Sequence, residues 1–256
     1  MDLHEKVAWV VGASSGIGAA VARELQARGA VVAVSARRQS QLEAVAEGRM
    51  LVVPADVTDA AGLAAAARQV AAGLGPIDLV VVTAGTWERP SVDHWDADAF
   101  RRQVEVNLVG LSNAVAAVLP AMLDRSSGTF AGVASLAGYR GVAGAEAYSA
   151  ATAGQIALLE ALRVQVAERG VRVTTVNPGF VRTPLAGSGG FPMPFAIDPD
   201  AAGRAICDGL ERDRVEIAFP LRLAIPMKLA RLLPARLWPR LFGRPATPPA
   251  APRPRG

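Results

Sequence analysis

Strongly apolar runs of strand length recur along the first 219 residues, separated by stretches with helical spacing. The runs are Val7 to Val11, Val31 to Ser35, Met50 to Pro54, Ile77 to Thr83, Thr129 to Ala134, Val171 to Val176 and Val215 to Phe219. They are apolar throughout instead of alternating with polar residues, which is the pattern of parallel strands covered on both faces. Between the first two, Ile17, Val21 and Leu25 recur every four residues within a helix expected over Gly18 to Arg28, and Gly29 supplies its C-terminal stop. Longer helical stretches run from Phe100 to Met122 and from Tyr148 to Arg169. Strands and helices alternating in this way, joined by right-handed crossovers, predict an α/β fold: a doubly wound parallel sheet of about seven strands with helices on both faces.

The pattern changes towards the C-terminus. Pro184 to Pro199 is loop-like, with three glycines among Leu185, Phe191, Met193 and Phe195. Leu221 to Phe242 interleaves arginines with Leu, Ile, Met, Trp238 and Phe242, and is broken by Pro226, Pro234 and Pro239. Residues 245–256 are rich in Pro, Ala and Arg and are expected to be disordered. The chain thus divides into a main domain over 1–220, a basic amphipathic extension over 221–244 and a Pro-rich tail.

Composition narrows the class. A hydrophobic content of 51% against 20% charged residues suits a globular protein. The single cysteine, Cys207, excludes an internal disulfide framework and fits a reducing, cytoplasmic compartment. Met1 to Lys6 lead directly into the first apolar run, leaving no room for a signal peptide. The longest uncharged run, Leu108 to Leu123, contains Asn113 and Pro120 and reads as a core helix rather than a membrane span. His4 and His94 lack metal-ligand spacing, so no metal site is expected. Trp9 belongs to the core of the first strand, while Trp87, Trp95 and Trp238 suit surfaces.

The net charge of +4 is unevenly placed. Beyond Glu216 there is no acidic residue, while Arg222, Lys228, Arg231, Arg236, Arg240, Arg244, Arg253 and Arg255 are basic. The remaining 19 basic residues face 23 acidic ones, so a mildly acidic body of net charge −4 carries a basic tail. With an acidic body and no binding motif, nucleic acid is not an expected partner. Basic charge with Trp and Leu over 221–244 suits peripheral contact with an anionic membrane; a helix pair packing on the body or on a second subunit is the other reading.

The first apolar run leads into Gly12-Ala13-Ser14-Ser15-Gly16-Ile17-Gly18, which opens the first helix. Glycines here permit a tight turn and close backbone approach to a pyrophosphate seated at the helix N-terminus, the Rossmann arrangement for a dinucleotide. The second strand ends in Ser35-Ala36-Arg37-Arg38, without the acidic residue that holds a ribose 2′-hydroxyl in NAD-binding folds. Two guanidiniums suit a 2′-phosphate, so NADP(H) is the expected cofactor. A solvated basic turn would look the same in sequence.

Over about residues 5–220 the chain resembles the short-chain dehydrogenase/reductase family. The resemblance rests on Gly12, Gly16 and Gly18; on Asp56-Val57 after the third strand; on Val82-Thr83-Ala84-Gly85, half matching an Asn-Asn-Ala-Gly motif; on Asn107 within Val106-Asn107-Leu108; on Ser135 and Tyr148 at the family interval; and on Asn177-Pro178-Gly179-Phe180-Val181-Arg182-Thr183. It implies hydride transfer between a nicotinamide and a carbonyl or alcohol carbon in a small or moderately hydrophobic substrate. Tyr148 would exchange the hydroxyl proton, Ser135 would polarise the substrate oxygen, and Asn107 would anchor a water in a proton relay. Gly12, Ser14, Ser15, Gly16, Ile17, Gly18, Arg37, Arg38, Asp56, Val57, Ala84, Gly85, Tyr148, Pro178, Gly179, Val181 and Thr183 would line the cofactor. Residues 184–199 would form a substrate lid, unless that loop packs its own apolar side chains. The Phe100–Met122 and Tyr148–Arg169 helices, with Ala114, Ala116, Ala117, Ala153, Gly154 and Ala157, would permit a homodimer or homotetramer.

One position departs from the family. Four residues after the tyrosine the family has a lysine, and here Thr152 stands. One helical turn puts residue 152 on the tyrosine's face. A free tyrosine titrates near pH 10, so losing an adjacent ammonium matters for any proton transfer near neutrality. Neither Lys6 nor Lys228 is placed to substitute, and Thr152 could make one hydrogen bond, for example to a water in the ammonium's place. A positive potential from Arg140 or Arg182 is a further option. The competing reading is a dinucleotide-binding protein without turnover, acting through its basic extension.

Overall fold

The computed structural model describes residues 1–89, 93–187 and 193–242. The first half runs β1 (Val7–Val11), α1 (Gly16–Ala27), β2 (Val31–Ser35), α2 (Gln39–Ala46), β3 (Leu51–Val52), α3 (Ala60–Leu74), β4 (Leu79–Val82), α4 (Ala97–Val104) and α5 (Gly110–Asp124). The second half runs β5 (Gly128–Val133), α6 (Glu146–Val166), β6 (Val171–Pro178), α7 (Pro184–Gly187), α8 (Pro199–Glu211), β7 (Glu216–Phe219), α9 (Leu221–Ala230) and α10 (Trp238–Phe242). The seven strands form one parallel sheet in the order β3-β2-β1-β4-β5-β6-β7. Strand order reverses between β1 and β4. In open α/β sheets, ligands bind beyond the C-terminal strand ends at such a switch point.

The two faces of the sheet carry separate cores. Ala8, Val10, Val32, Val34 and Val81 point into a cluster with Leu25 of α1, Leu42 of α2 and Ile206 of α8. Val7, Trp9, Val11, Val80 and Phe130 point the other way, against Leu63 of α3, Leu111 and Val118 of α5 and Leu159 of α6. This double coverage is what the uninterrupted apolar runs require. Trp9 is fully buried, and its indole donates to Ser35 Oγ at 2.8 Å.

Several boundaries differ from the sequence expectation. β3 pairs as a strand only over Leu51 and Val52, although Val53 N and Ala55 N still donate to Val34 O and Ala36 O at 3.0 and 3.1 Å on either side of Pro54. β6 extends to Pro178, which pairs with Phe219. The helix expected over Phe100 to Met122 is part of a helical segment from Ala97 to Asp124 that contains a π-helical turn, Glu105–Val109. By length and composition that segment could cross a membrane, but Leu111, Ala114, Val118 and Met122 are packed in the α/β core, as a core helix requires. α9 runs through Pro226 rather than ending there. The lid expected over 184–199 falls partly outside the described residues, Phe191 included, as does the Pro-rich tail. At its far end Ile197 bridges Val181, and Arg182 Nη1 pairs with Asp198 Oδ1 at 2.8 Å.

α9 is fastened to the sheet by a polar knot under a small apolar cluster of Leu136, Tyr139, Ile156 and Ala224. The Tyr139 hydroxyl donates to Glu216 Oε1, Asn177 Nδ2 donates to the same oxygen at 3.1 Å, and Lys228 Nζ from α9 holds Glu216 Oε2. Burial alone pushes the Glu216 carboxyl up, but the Lys228 ammonium and these donors outweigh it and hold it below the ordinary carboxylate range. Its contribution is therefore present above the unfolded carboxylate pKa and is lost as pH falls through the depressed folded value. Glu216→Gln should destabilise the protein by about 1–3 kcal/mol in chemical denaturation at pH 7, with the gap to the parent closing in acid.

Candidate active site

β1 delivers the chain into the glycine loop, and each glycine is required for a different reason. Gly12 has φ +95°, and a Cβ there would lie 2.4 Å from the Ala84 amide nitrogen. Gly16 has φ +57° and sits under the Thr183 methyl, which a Cβ would approach to 2.9 Å. Gly18 has ordinary helical geometry; its Cβ would meet the Gly12 carbonyl oxygen at 2.3 Å and Thr83 Oγ1 at 2.4 Å. Thr83, where the resembling motif has asparagine, donates its hydroxyl to Val11 O at 3.0 Å and to Gly12 O at 3.1 Å. It thereby ties the end of β4 to the loop.

Ser15 enters α1 with an extended backbone and offers no capping side chain, and the first turn contains no acidic residue. The amides of that turn are left to an anion. Arg37 and Arg38 are exposed beside it, with Arg38 Nη2 leaning on Ser14 Oγ at 3.4 Å. Asp56 Oδ1 accepts from Thr58 N and Oγ1 at 2.9 Å, which fixes the turn after β3, and Val57 is buried with its carbonyl held by Asn113 Nδ2 at 2.8 Å. Ala84 and Gly85 continue from β4. Pro178 ends β6, Gly179 lies against Leu136, Pro220 and Leu223, Val181 is buried in the core, and the Thr183 methyl reaches back over Gly16. A close backbone cradle and an uncapped helix start fit the pyrophosphate of a dinucleotide. Gly18→Ala should leave the sheet intact but displace the loop, weakening dinucleotide binding by roughly tenfold or more in a fluorescence titration.

Ser135 follows β5 and enters a short 3-10 turn, Leu136–Gly138, its Oγ accepting from Ala137 N at 3.1 Å. Tyr148 stands in the first turn of α6. Burial raises the phenol above its ordinary value, and the neighbouring Ser135 hydroxyl partly offsets this. Among the described residues no positive charge contributes to that balance.

Thr152 is 1% exposed and turned back into its own helix, its Oγ1 donating to Tyr148 O at 2.7 Å and lying 3.3 Å from Ser149 O. Its one proton is thus used by the backbone rather than by a water in an ammonium's position. Arg140 stacks on Trp238 at 5.5 Å and Arg182 is paired with Asp198, so both guanidiniums are engaged elsewhere.

Asn107 lies in the π-helical turn, 2% exposed. Its side chain grips Thr86, accepting from the amide and donating to the carbonyl, both at 2.8 Å. Its main-chain oxygen accepts from Gln155 Nε2 at 2.7 Å. Sequence reading passed over Gln155, although a polar residue one turn beyond Thr152, facing the core of α6, was the available signal. It also passed over Tyr139, whose hydroxyl is occupied by Glu216 and whose pKa burial and that carboxylate raise far above the ordinary value. The two tyrosines of the chain thus have opposite surroundings: one is committed to a carboxylate, the other faces a serine.

Residues 6–189 match the family model for short chain dehydrogenases. The chain belongs to the short-chain dehydrogenase family. It is 37% identical over 243 residues to an uncharacterized oxidoreductase of Myxococcus xanthus, covering 93% of this chain and 96% of that protein. Among solved structures it resembles a short-chain dehydrogenase from Streptomyces avermitilis (TM-score 0.79, 28% identity, 93% of this chain and 96% of that one). It also resembles a variant of actinorhodin polyketide ketoreductase with NADPH (TM-score 0.79, 26% identity, 86% and 97%). A short-chain dehydrogenase is an oxidoreductase that binds a nicotinamide dinucleotide, which is the class of ligand the glycine loop fits.

Proposed function

We propose that this short-chain dehydrogenase is an NADP(H)-dependent reductase of a ketone or aldehyde, with Tyr148 as proton donor and Ser135 polarising the carbonyl oxygen. The observation that carries the reading is the Ser135 hydroxyl beside the Tyr148 phenol, at the strand ends bordering the glycine loop. The bound cofactor supplies the hydride. As the carbonyl carbon accepts it, the oxygen gains negative charge, and two hydroxyl donors converging on that oxygen stabilise it. Tyr148 then passes its proton to the nascent alkoxide. Without a cation beside it the phenol stays protonated across the neutral range, the form a reductase needs. A proton donor paired with a polarising hydroxyl has no purpose in a binder without turnover.

NADP(H) is favoured by Arg37 and Arg38 at the end of β2 and by the absence of a carboxylate there to repel a 2′-phosphate. The test is oxidation of NADPH and of NADH with a panel of apolar ketones and aldehydes. NADPH consumption should dominate. Arg37→Ala with Arg38→Ala should raise the KM for NADPH on the order of 10- to 100-fold while leaving NADH little changed. Equal use of both cofactors by the parent would remove the NADP(H) assignment, and no turnover with any carbonyl would remove the reductase itself.

A further inference from the structure

α9 is apolar on two opposite faces, and only one of them is covered. Its inward face is spent: Ala224 and Ala230 are 3% and 6% exposed, and Leu223 and Met227 pack against the cluster of Leu136, Tyr139 and Ile156. On the far side Leu221, Ile225 and Leu229, followed by Leu232 just past the helix end, recur at intervals of four, four and three residues, with exposures of 64, 56, 60 and 82%. Isolated exposed leucines are ordinary, but a continuous stripe along one helix is not. The helix cannot roll to hide it. Lys228 fixes one flank to Glu216, Arg231 lies over the Tyr139 ring at 5.6 Å, and Trp238 Nε1 donates to Gly141 O at 2.8 Å just beyond.

Charge identifies the occupant. Arg222, Arg236 and Arg240 are exposed around the stripe, and from Ile217 to Gly256 the sequence has no acidic residue against eight basic ones. A two-fold pairing of this patch with a second copy would set the same arginines against each other. A surface with apolar depth and negative charge matches both features at once. We propose that the outward face of α9 docks on an anionic lipid membrane, with Leu221, Ile225, Leu229 and Leu232 entering the headgroup–acyl boundary and the flanking arginines engaging lipid phosphates.

The test is co-sedimentation of the full chain with vesicles of phosphatidylcholine alone and of phosphatidylcholine mixed with phosphatidylglycerol, at low and high salt. Sedimentation should require phosphatidylglycerol and weaken as salt screens the arginines. Ile225→Asp and Leu229→Asp should each lower partitioning about tenfold while leaving the thermal transition unchanged. Arg222→Glu with Arg236→Glu should reduce binding and flatten its salt dependence. Because these side chains point to solvent, a fold defect in one variant leaves the others to decide. Equal binding by parent and aspartate variants, equal binding to phosphatidylcholine alone, or aspartate variants that turn a dimer into a monomer with no vesicle binding by the parent would each overturn the proposal.

Discussion

Tyr148→Phe is expected to lower the rate of carbonyl reduction on the order of 10²- to 10⁴-fold, the usual contribution of a positioned proton donor. Of the two tyrosines, Tyr148 is the one whose hydroxyl faces Ser135, since Tyr139 is committed to Glu216. Phenylalanine keeps the ring and its packing in the first turn of α6, so NADPH binding measured by fluorescence should change little. The loss should appear in kcat, because the missing hydrogen bond strengthens only as the oxygen becomes an alkoxide. A single-turnover measurement of NADPH oxidation at pH 7 separates this from slow product release. An unchanged rate would mean that water or another side chain delivers the proton.

Thr152→Lys is expected to show most clearly in the pH dependence of alcohol oxidation. Alcohol oxidation needs the phenolate to accept the proton, and burial raises the Tyr148 phenol above its ordinary value near 10. The sign follows: the competent phenolate is scarce below that value, so oxidation by the parent should climb about tenfold per pH unit through the neutral and mildly alkaline range. Reduction uses the protonated phenol and should stay flat until pH approaches the same high value. An ammonium one turn along α6 that lowers the phenol by two to three units corresponds to roughly 3–4 kcal/mol. The oxidation rate at pH 7 should then rise on the order of 10²- to 10³-fold. The pH–rate curve should shift to lower pH by the same interval, which a gain from better folding would not produce. Because residue 152 is buried against the Gly138 turn, a thermal melt of the variant accompanies the kinetics. Identical curves for parent and variant would show that the phenol is not the titrating group.

Both predictions bear on one helix. Thr152, one turn after Tyr148, spends its hydroxyl on the backbone of α6. Gln155, further along the same helix, takes the Asn107 carbonyl.

The sequence by itself determined the sheet. Seven unbroken apolar runs can be stable only when covered on both sides, and that demand leaves the doubly wound parallel arrangement. The glycine loop was equally legible, because a φ of +95° at Gly12 and a backbone at 2.4 Å from its missing Cβ admit only one residue type. What periodicity could not supply was direction and partnership for polar side chains. That Thr152 bonds its own helix, that Asn107 grips Thr86 while Gln155 takes its carbonyl, and that Glu216 gathers Tyr139, Asn177 and Lys228 are facts of three-dimensional approach across elements far apart in the chain. The C-terminal segment shows the same division. Its leucines and arginines were visible in order, but only the packed structure decided which apolar side chains pack inward and which look outward, because the core can cover one face of a helix and no more.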